Sequence, residues 1–241
     1  MGLAFNIATL VGVGTSAAGG DALFNSIQQM HADKGKTWGR FLDAGTGTHS
    51  LRWISTLETT SWTAVTADSK FSENMIKELG RSYQPRPEDK VIIGNWQDDT
   101  FLAGEKFDTI LADYLIGAVD GFAPYYQDLM FDRLKEHLAP GGRLYVVGME
   151  PVPFSAQGPA SIVCEVTRLR DSCILLAGHR PYREYPVQWI KRQITRSGLV
   201  IDAIKEWPIM HTQRTIERQT AVARRKLPYF QDRDLAEAMA R

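Results

Sequence analysis

The chain has 241 residues, 44% of them hydrophobic, which is enough to bury a sizeable core in one α/β domain. Lysine plus arginine (28) equals aspartate plus glutamate (28), so the excess of clustered cations that phosphate-backbone binding requires is missing and nucleic acid is not an expected partner. The two cysteines, Cys164 and Cys173, have no Cys or His at a zinc spacing beside them; they read as reduced core thiols, and no metal site is expected.

At the start, MGLAFNIATLVGVG is uncharged but lacks the basic flank of a signal peptide. No apolar run reaches the roughly eighteen residues of a membrane span, and Gly2 is not followed by a myristoylation pattern. The expectation is a soluble cytoplasmic protein without a membrane partner. Leu23, Ile27 and Met30 recur at helical spacing behind Asp21. RFLDAG (40–45) is then the first clear strand; Leu51, Ile54 and Leu57 resume a helical face, and WTAVTAD (62–68) is a second, β-branched strand. A helix through Phe71, Met75, Ile76 and Leu79 follows, then strands KVIIGN (90–95) and FDTILAD (107–113).

A helix over about 126–138 is predicted to stop at Ala139-Pro140-Gly141-Gly142, where proline and glycine break the pattern. RLYVVGME (143–150) is a fifth strand. Pro151, Pro153, Gly158 and Pro159 punctuate a connection that turns helical over 160–176, GHRPYREYP (178–186) is a loop, and 187–197 is a helix. LVIDAIKEW (199–207) reads as a sixth strand, ERQTAVARRK (217–226) as a seventh, and 232–241 as a last helix. The strand–helix alternation predicts an α/β fold: a Rossmann-like, seven-stranded, mostly parallel sheet with helices on both faces. The link 208–216 is too short for a crossover helix, so the last strand is expected to be antiparallel. The organisation expected is a single domain over 1–241. Its parts are an N-terminal helical segment (1–39), a cofactor-binding core (40–150), an inserted substrate-side segment (151–186), a closing helix and hairpin (187–226) and a C-terminal helix (227–241).

Two glycine turns compete for a nucleotide. Gly12-Val13-Gly14-Thr15-Ser16-Ala17 fits the dinucleotide fingerprint, but Ala32-Asp33-Lys34-Gly35-Lys36 stands where its second strand and ribose acid belong. The later turn has the full context. A strand ends on Asp43, the chain reverses through Gly45 and Gly47, a helix begins, and Asp68 sits at the tip of the next strand, where a carboxylate can accept both hydroxyls of a ribose. Asp43 inside the turn would repel a pyrophosphate and suits a cationic amino group.

These residues resemble the class I S-adenosylmethionine-dependent methyltransferases over about 40–226. Asp43-Ala44-Gly45-Thr46-Gly47 is similar to that family's first motif, Asp68 with Ser69 to its ribose acid, and Gly94-Asn95-Trp96 to the stretch flanking the adenine. Phe107 to Asp113 looks like its fourth strand, and Leu138-Ala139-Pro140-Gly141-Gly142-Arg143-Leu144 like the turn into its fifth. His49 replaces a common third glycine and offers its imidazole to the methionine carboxylate; Asn95 replaces a common aspartate and can still accept a hydrogen bond. The resemblance implies S-adenosyl-L-methionine as cofactor, S-adenosyl-L-homocysteine as product, and methyl transfer to a small-molecule N, O or S nucleophile.

Such a transfer needs alignment and water exclusion first, and a base where the acceptor carries a proton. Ligands in open α/β sheets lie beyond the strands' carboxyl ends, which makes Asp113 and Tyr114 candidates for orienting the acceptor, and Glu150, His179 and His211 candidate bases. Tyr125, Tyr126, Tyr182 and Tyr185 on loops suit an amphipathic or cationic acceptor. Leu235 and Met239 on the last helix, with Phe230 nearby, suggest a homodimer. The competing readings are a nicotinamide-dependent reductase using 12–17, a protein methyltransferase, and a nucleoside-binding relative without turnover.

Overall fold

The computed structural model describes residues 6–11, 22–69, 83–207 and 211–240. They divide into two compact units, Met1–Glu150 with Glu184–Pro208, and Pro151–Arg183 with Ile209–Arg241, where the sequence suggests a single domain. Among the described residues the first unit holds every strand: β1 (Asn6–Val11), β2 (Arg40–Asp43), β3 (Ser61–Thr66), β4 (Lys90–Ile93), β5 (Phe107–Asp113), β6 (Leu138–Gly148) and β7 (Val200–Glu206). They form one sheet in the order β4-β3-β2-β5-β6-β1-β7, flanked by helices α1 (Ala22–Ala32), α2 (Thr48–Ile54), α3 (Leu115–Ala118), α4 (Met130–Glu136) and α6 (Val187–Arg196). The predicted helix through Phe71 to Leu79 lies outside the described residues.

Adjacent residues along the central strands feed opposite faces, as in a sheet covered on both sides. Leu42, Val65, Ile110, Ala112, Leu144 and Val146 join one core with Leu115, Met130, Leu134, Ile190 and Ile194 from α3, α4 and α6. Phe41, Ala64, Leu111, Tyr145 and Val147 join the other with Phe24 and Ile27 of α1 and Leu51 and Ile54 of α2. Each fully buried Leu, Ile or Phe in these layers contributes on the order of 2 kcal/mol.

Two sequence expectations are corrected here. Residues 217–226 are not a strand: Gln213–Arg224 is helix α7. Thr212 caps its start, accepting from Thr215 N at 3.3 Å while its own N–H donates to Thr215 Oγ1 at 2.8 Å, and the Glu, Arg, Gln and Ala of the segment are strong helix formers. The remaining place in the sheet is filled from the other end of the chain. β1, inside a segment expected to be helical, runs between β6 and β7 and pairs parallel with both. Among the described residues every strand pairing is parallel, so the expected antiparallel last strand is absent from them.

The Ala139–Gly142 turn also sits differently from the expectation. The helix ends at Glu136, and the strand begins before the turn: Leu138 pairs with Phe107 and Arg143 with Thr109, leaving Asp108 opposite four residues. Gly141 has φ +74°, and a Cβ on Gly142 would meet Ala139 O at 2.9 Å and Asp108 O at 3.0 Å, so the bulge requires both glycines.

The second unit is helical. Helix α5 (Ala160–Leu176) packs on α7, with Arg170 donating to Gln219 Oε1 at 2.7 Å, and Cys173, Ala223, Phe230 and Ala236 of helix α8 (Arg233–Ala240) form a small core. Both cysteines are free and buried. Among the described residues no helix is long and apolar enough to cross a membrane.

Candidate active site at the carboxyl edge of the sheet

Because the strands run parallel, the carboxyl ends of β2, β3, β4 and β5 share one edge, and nine of the thirteen sequence-predicted residues lie along it: Asp43, Gly45, Gly47, His49, Asp68, Ser69, Asn95, Asp113 and Tyr114. The glycine turn is pinned between its neighbours. Ala44 N donates to Leu111 O of β5 at 2.8 Å and Thr46 N to Val65 O of β3 at 2.7 Å. α2 then starts at Gly47, whose N–H donates to Ser50 Oγ at 3.0 Å.

The two glycines of the turn have different reasons. A Cβ on Gly45 would meet Leu115 Cδ1 at 2.8 Å, so packing asks for that glycine. A Cβ on Gly47 would meet nothing within 4 Å, and its φ of −118° suits any residue. The fold does not require Gly47; bare backbone facing open space at a helix start is what a closely approaching ligand requires.

Asp43 is fully buried, and neither carboxylate oxygen makes a hydrogen bond of normal geometry. Burial pushes its pKa up to about 6, and the nearby Ser50 and Thr46 hydroxyls and Gly45 N–H offset that only in part. A buried carboxylate left this way is costly to the fold unless something else supplies its partner. Thr46 and Ser50 were not singled out in the sequence. The available signal was a serine three residues after Gly47, at the position that caps a helix start.

Along the same edge, Asp68 is exposed just past β3, its N–H donating to Thr66 Oγ1 at 3.2 Å. Ser69 beside it is exposed too, as is His49, whose ring lies 4.9 Å from Phe24. Asn95 is half-buried: its Oδ1 accepts from Gln97 N at 3.0 Å and its amide donates to Phe122 O at 3.1 Å, so one acceptor position is already used. Tyr114 takes a left-handed conformation (φ 50°, ψ 15°) between β5 and α3, with its N–H donating to Val147 O at 3.0 Å. Tyrosine is strained there by roughly 1–2 kcal/mol, and such strain collects where a side chain must be aimed.

The other four expected residues have different settings. Trp96 is a core residue, 5% exposed, and its Nε1–H donates to Ala44 O of the glycine turn at 2.7 Å, so it supports the site from below. Glu150, just past β6, accepts from Val187 N at 2.7 Å and caps α6, which occupies it structurally. His179 and His211 belong to the second unit, where His179 Nδ1 lies 2.9 Å from Lys226 Nζ and its ring 5.3 Å from that of Tyr229. Of the loop tyrosines, Tyr185 packs on Trp189 at 4.3 Å, Tyr126 packs against the first core, Tyr125 is exposed and Tyr182 is in the second unit.

The rival glycine turn 12–17 lies outside the described residues. The strand leading into it, β1, is separated from β2 by β6 and β5, so no neighbouring strand follows from its helix to supply a ribose acid in the dinucleotide manner. Among the described residues no group of His, Cys, Asp and Glu could hold a metal ion.

No protein-family model and no curated protein matches the sequence. Among solved structures, the chain is similar to the YcgJ protein of Bacillus subtilis, with a TM-score of 0.57 and 17% identity over 85% of this chain and 82% of that one. The chain shares that fold. Weaker likenesses include an S-adenosylmethionine-dependent methyltransferase of Clostridium acetobutylicum (TM-score 0.42, 16% identity, 56% of this chain and 52% of that one). Another is the cyclopropane synthase MmaA2 of Mycobacterium tuberculosis (0.48, 15%, 84% and 68%). At these identities the likeness concerns architecture alone.

Proposed function

We propose that the carboxyl edge of the first unit binds S-adenosyl-L-methionine and that the protein transfers its methyl group to a small-molecule acceptor. The observation that carries this reading is Asp43: a buried carboxylate without a well-formed hydrogen bond, at the mouth of a turn whose second glycine the fold does not need. A cationic amino group supplies the partner that carboxylate lacks, and Gly47 leaves backbone accessible beside it. Asp68 on the adjacent strand would accept the ribose hydroxyls, with Ser69, His49 and Asn95 along the same edge.

When bound, the cofactor supplies an electrophilic methyl group on a sulfonium. What the chain adds is placement. Asp113 and Tyr114 at the tip of β5 orient the acceptor, Tyr114 by its hydroxyl or by its ring against a cation. Glu150 has one carboxylate oxygen engaged by its cap on α6, and no base is assigned to His179 or His211 of the second unit. A cytoplasmic location completes the proposal; of the three residues expected at a homodimer seam, Phe230 is buried in the second unit's small core and Met239 packs against it, which leaves exposed Leu235 as the contact for a second copy.

Calorimetry with S-adenosylhomocysteine is the test. Micromolar binding that Asp43→Asn weakens about a hundredfold is expected; no heat from the wild-type chain at millimolar ligand would overturn the assignment.

A further inference from the structure

Over the whole chain the charges cancel, but between the two units they do not. The second unit, Pro151–Arg183 with Ile209–Arg241, is just over a quarter of the chain and holds eleven of its 28 cationic side chains against six of its 28 anionic ones, a net charge of +5 that leaves −5 on the first unit. Residues 230–241, which include α8, contribute −1 to that balance, so the excess sits on α5, α7 and the loops beside them. Apolar exposure is segregated in the same way. Of the thirteen large hydrophobic side chains that stand exposed among the described residues, eight belong to the second unit. Charge alone serves solubility, and scattered apolar residues need no explanation; their concentration in one basic unit does.

The outward face of α5 carries much of this. Ile162, Leu169 and Leu176 are 53%, 44% and 44% exposed and recur every seven residues, which keeps them within about 20° per step on one side of the helix, a stripe roughly 21 Å long parallel to its axis. Exposed Leu175 widens the face, while Cys164 and Ile174 on the far side are buried. Arg168 borders the stripe with its guanidinium over the ring of Phe154, 4.9 Å from the centroid, and that ring is itself exposed. A planar cation laid on an aromatic face keeps its edge donors open to phosphate oxygens. At the carboxyl end of α5, Gly178 N donates to Leu175 O at 2.9 Å and His179 N to Ile174 O at 3.0 Å, and His179 Nδ1 lies 2.9 Å from Lys226 Nζ just past α7. The run Arg224-Arg225-Lys226 is thereby brought to the end of α5, with Arg224 and Arg225 exposed.

We propose that this face of the second unit is a docking surface for a bilayer rich in anionic phospholipid, with α5 lying flat at the headgroup level. A basic unit is attracted by the negative surface potential, and the same boundary takes aliphatic side chains out of water while phosphate groups receive the neighbouring arginines. A second copy docked through the same face would instead bring two net charges of +5 together, and a nucleic acid would leave the apolar stripe of α5 in water. Among the described residues no helix is long and apolar enough to cross a membrane, and the contact is one of adsorption. It does not rest on the cofactor reading above, whose site lies in the first unit.

Co-sedimentation of the full chain with vesicles tests this, comparing phosphatidylcholine alone with phosphatidylcholine containing about one-third phosphatidylglycerol, at ~0.05 M and ~0.5 M salt. Binding to the anionic vesicles at low salt is expected, with partitioning about tenfold weaker or less on phosphatidylcholine alone and at high salt. The combined change Ile162→Ser, Leu169→Ser and Leu176→Ser, at three exposed positions, is expected to weaken anionic-vesicle binding about ten- to thirtyfold with helix content by circular dichroism unchanged. Arg224→Gln with Arg225→Gln is expected to cost about tenfold and to flatten the salt dependence. A wild-type chain that stays in solution beside anionic vesicles would overturn the inference, as would equal binding to both vesicle compositions. Should the serine chain lose helix content, the arginine pair decides, and anionic-vesicle binding that ignores its removal overturns the proposal. A wild-type chain that ignores vesicles gives the face to a second copy if the serine changes dissolve a dimer, and to a polyanion if it binds heparin instead. S-adenosylhomocysteine calorimetry without vesicles is expected to be the same for all three chains, so failure of this inference and failure of the cofactor reading are told apart.

Discussion

Asp43 and Asp89 are both buried aspartates of the first unit, and the fold treats them in opposite ways. The Asp89 side chain, wholly shielded from solvent, accepts from five donors: Trp62 N at 3.0 Å, Tyr83 OH at 2.7 Å, and Arg86 through its backbone N (3.0 Å), Nε (2.9 Å) and Nη2 (2.9 Å). Burial works against its charge, but the bonds from Arg86 and Tyr83 outweigh it and hold the carboxyl below the usual range. Asp43 is buried as a whole residue and has no cationic partner and no donor at normal hydrogen-bond geometry. A satisfied buried acid ties strands and loops together; an unsatisfied one marks where the fold has kept an interaction in reserve for something outside the chain.

The largest expected effect breaks the satisfied partner. Asp89→Ala leaves the Arg86 guanidinium only its bonds to Thr59 and strips three further donors, and should lower unfolding free energy by about 2–3 kcal/mol, read from the urea midpoint. Asp43→Asn should do the reverse. The Asp43 pKa is raised from 3.8 to about 6, so the native state holds its proton over a range where the unfolded chain has lost it. Stability from this group is full below the unfolded value and is lost as pH rises through about 6, a cost of ~3 kcal/mol at neutral pH. The asparagine chain should be more stable than wild type by up to that amount at pH 7.5 and no more stable at pH 4, while losing about a hundredfold in S-adenosylhomocysteine affinity. Asp89 slopes the other way: its contribution is present above the usual carboxylate range and is lost on acidification.

Smaller effects sharpen the contrast. Asp68→Ala, at an exposed position, should leave the denaturation midpoint unchanged and weaken S-adenosylhomocysteine binding ten- to a hundredfold; equal affinity would remove Asp68 from the site. Gly47→Ala should change stability by less than about 1 kcal/mol, since its Cβ meets no atom, yet reduce affinity about tenfold in a titration. Were ligand affinity to survive Gly47→Ala intact, the open backbone would have no ligand to explain it.

How much of this the sequence reveals depends on the range of the cause. Phe107–Asp113 is read to the residue and the helix near 160–176 closely, because a buried β run and a helix punctuated by Pro159 are set by local pattern. Asp43, Gly45, Gly47 and Asp68 are equally legible, since turn and strand tip lie within one strand–helix–strand unit. Depth is not legible. Trp96 is adjacent to the edge in sequence and lies beneath it in space, and Glu150 is committed to a helix that begins 37 residues later. The 217–226 error has another source: Thr212 and Thr215, upstream of the segment, encode a helix start that the strand reading passes over. β1 escaped notice because nothing local says that an uncharged leading segment will enter a sheet between strands made much later.

That placement bears on how the protein reaches its native state. Asn6 pairs with Arg143 on one side and Val200 on the other, so the seam that joins β7 to the rest of the sheet is closed by the first strand and two of the last. Contacts between such distant parts of a chain carry a large loop-closure cost and slow the approach to the native topology. On a ribosome, β2 to β5 would emerge with their neighbours ready to pair, whereas β1 must wait for nearly the whole unit to be made. Its backbone groups stay uncommitted for that interval, and the final registration of β7 is the step at which a chaperone, or a stray edge from another nascent chain, would intervene.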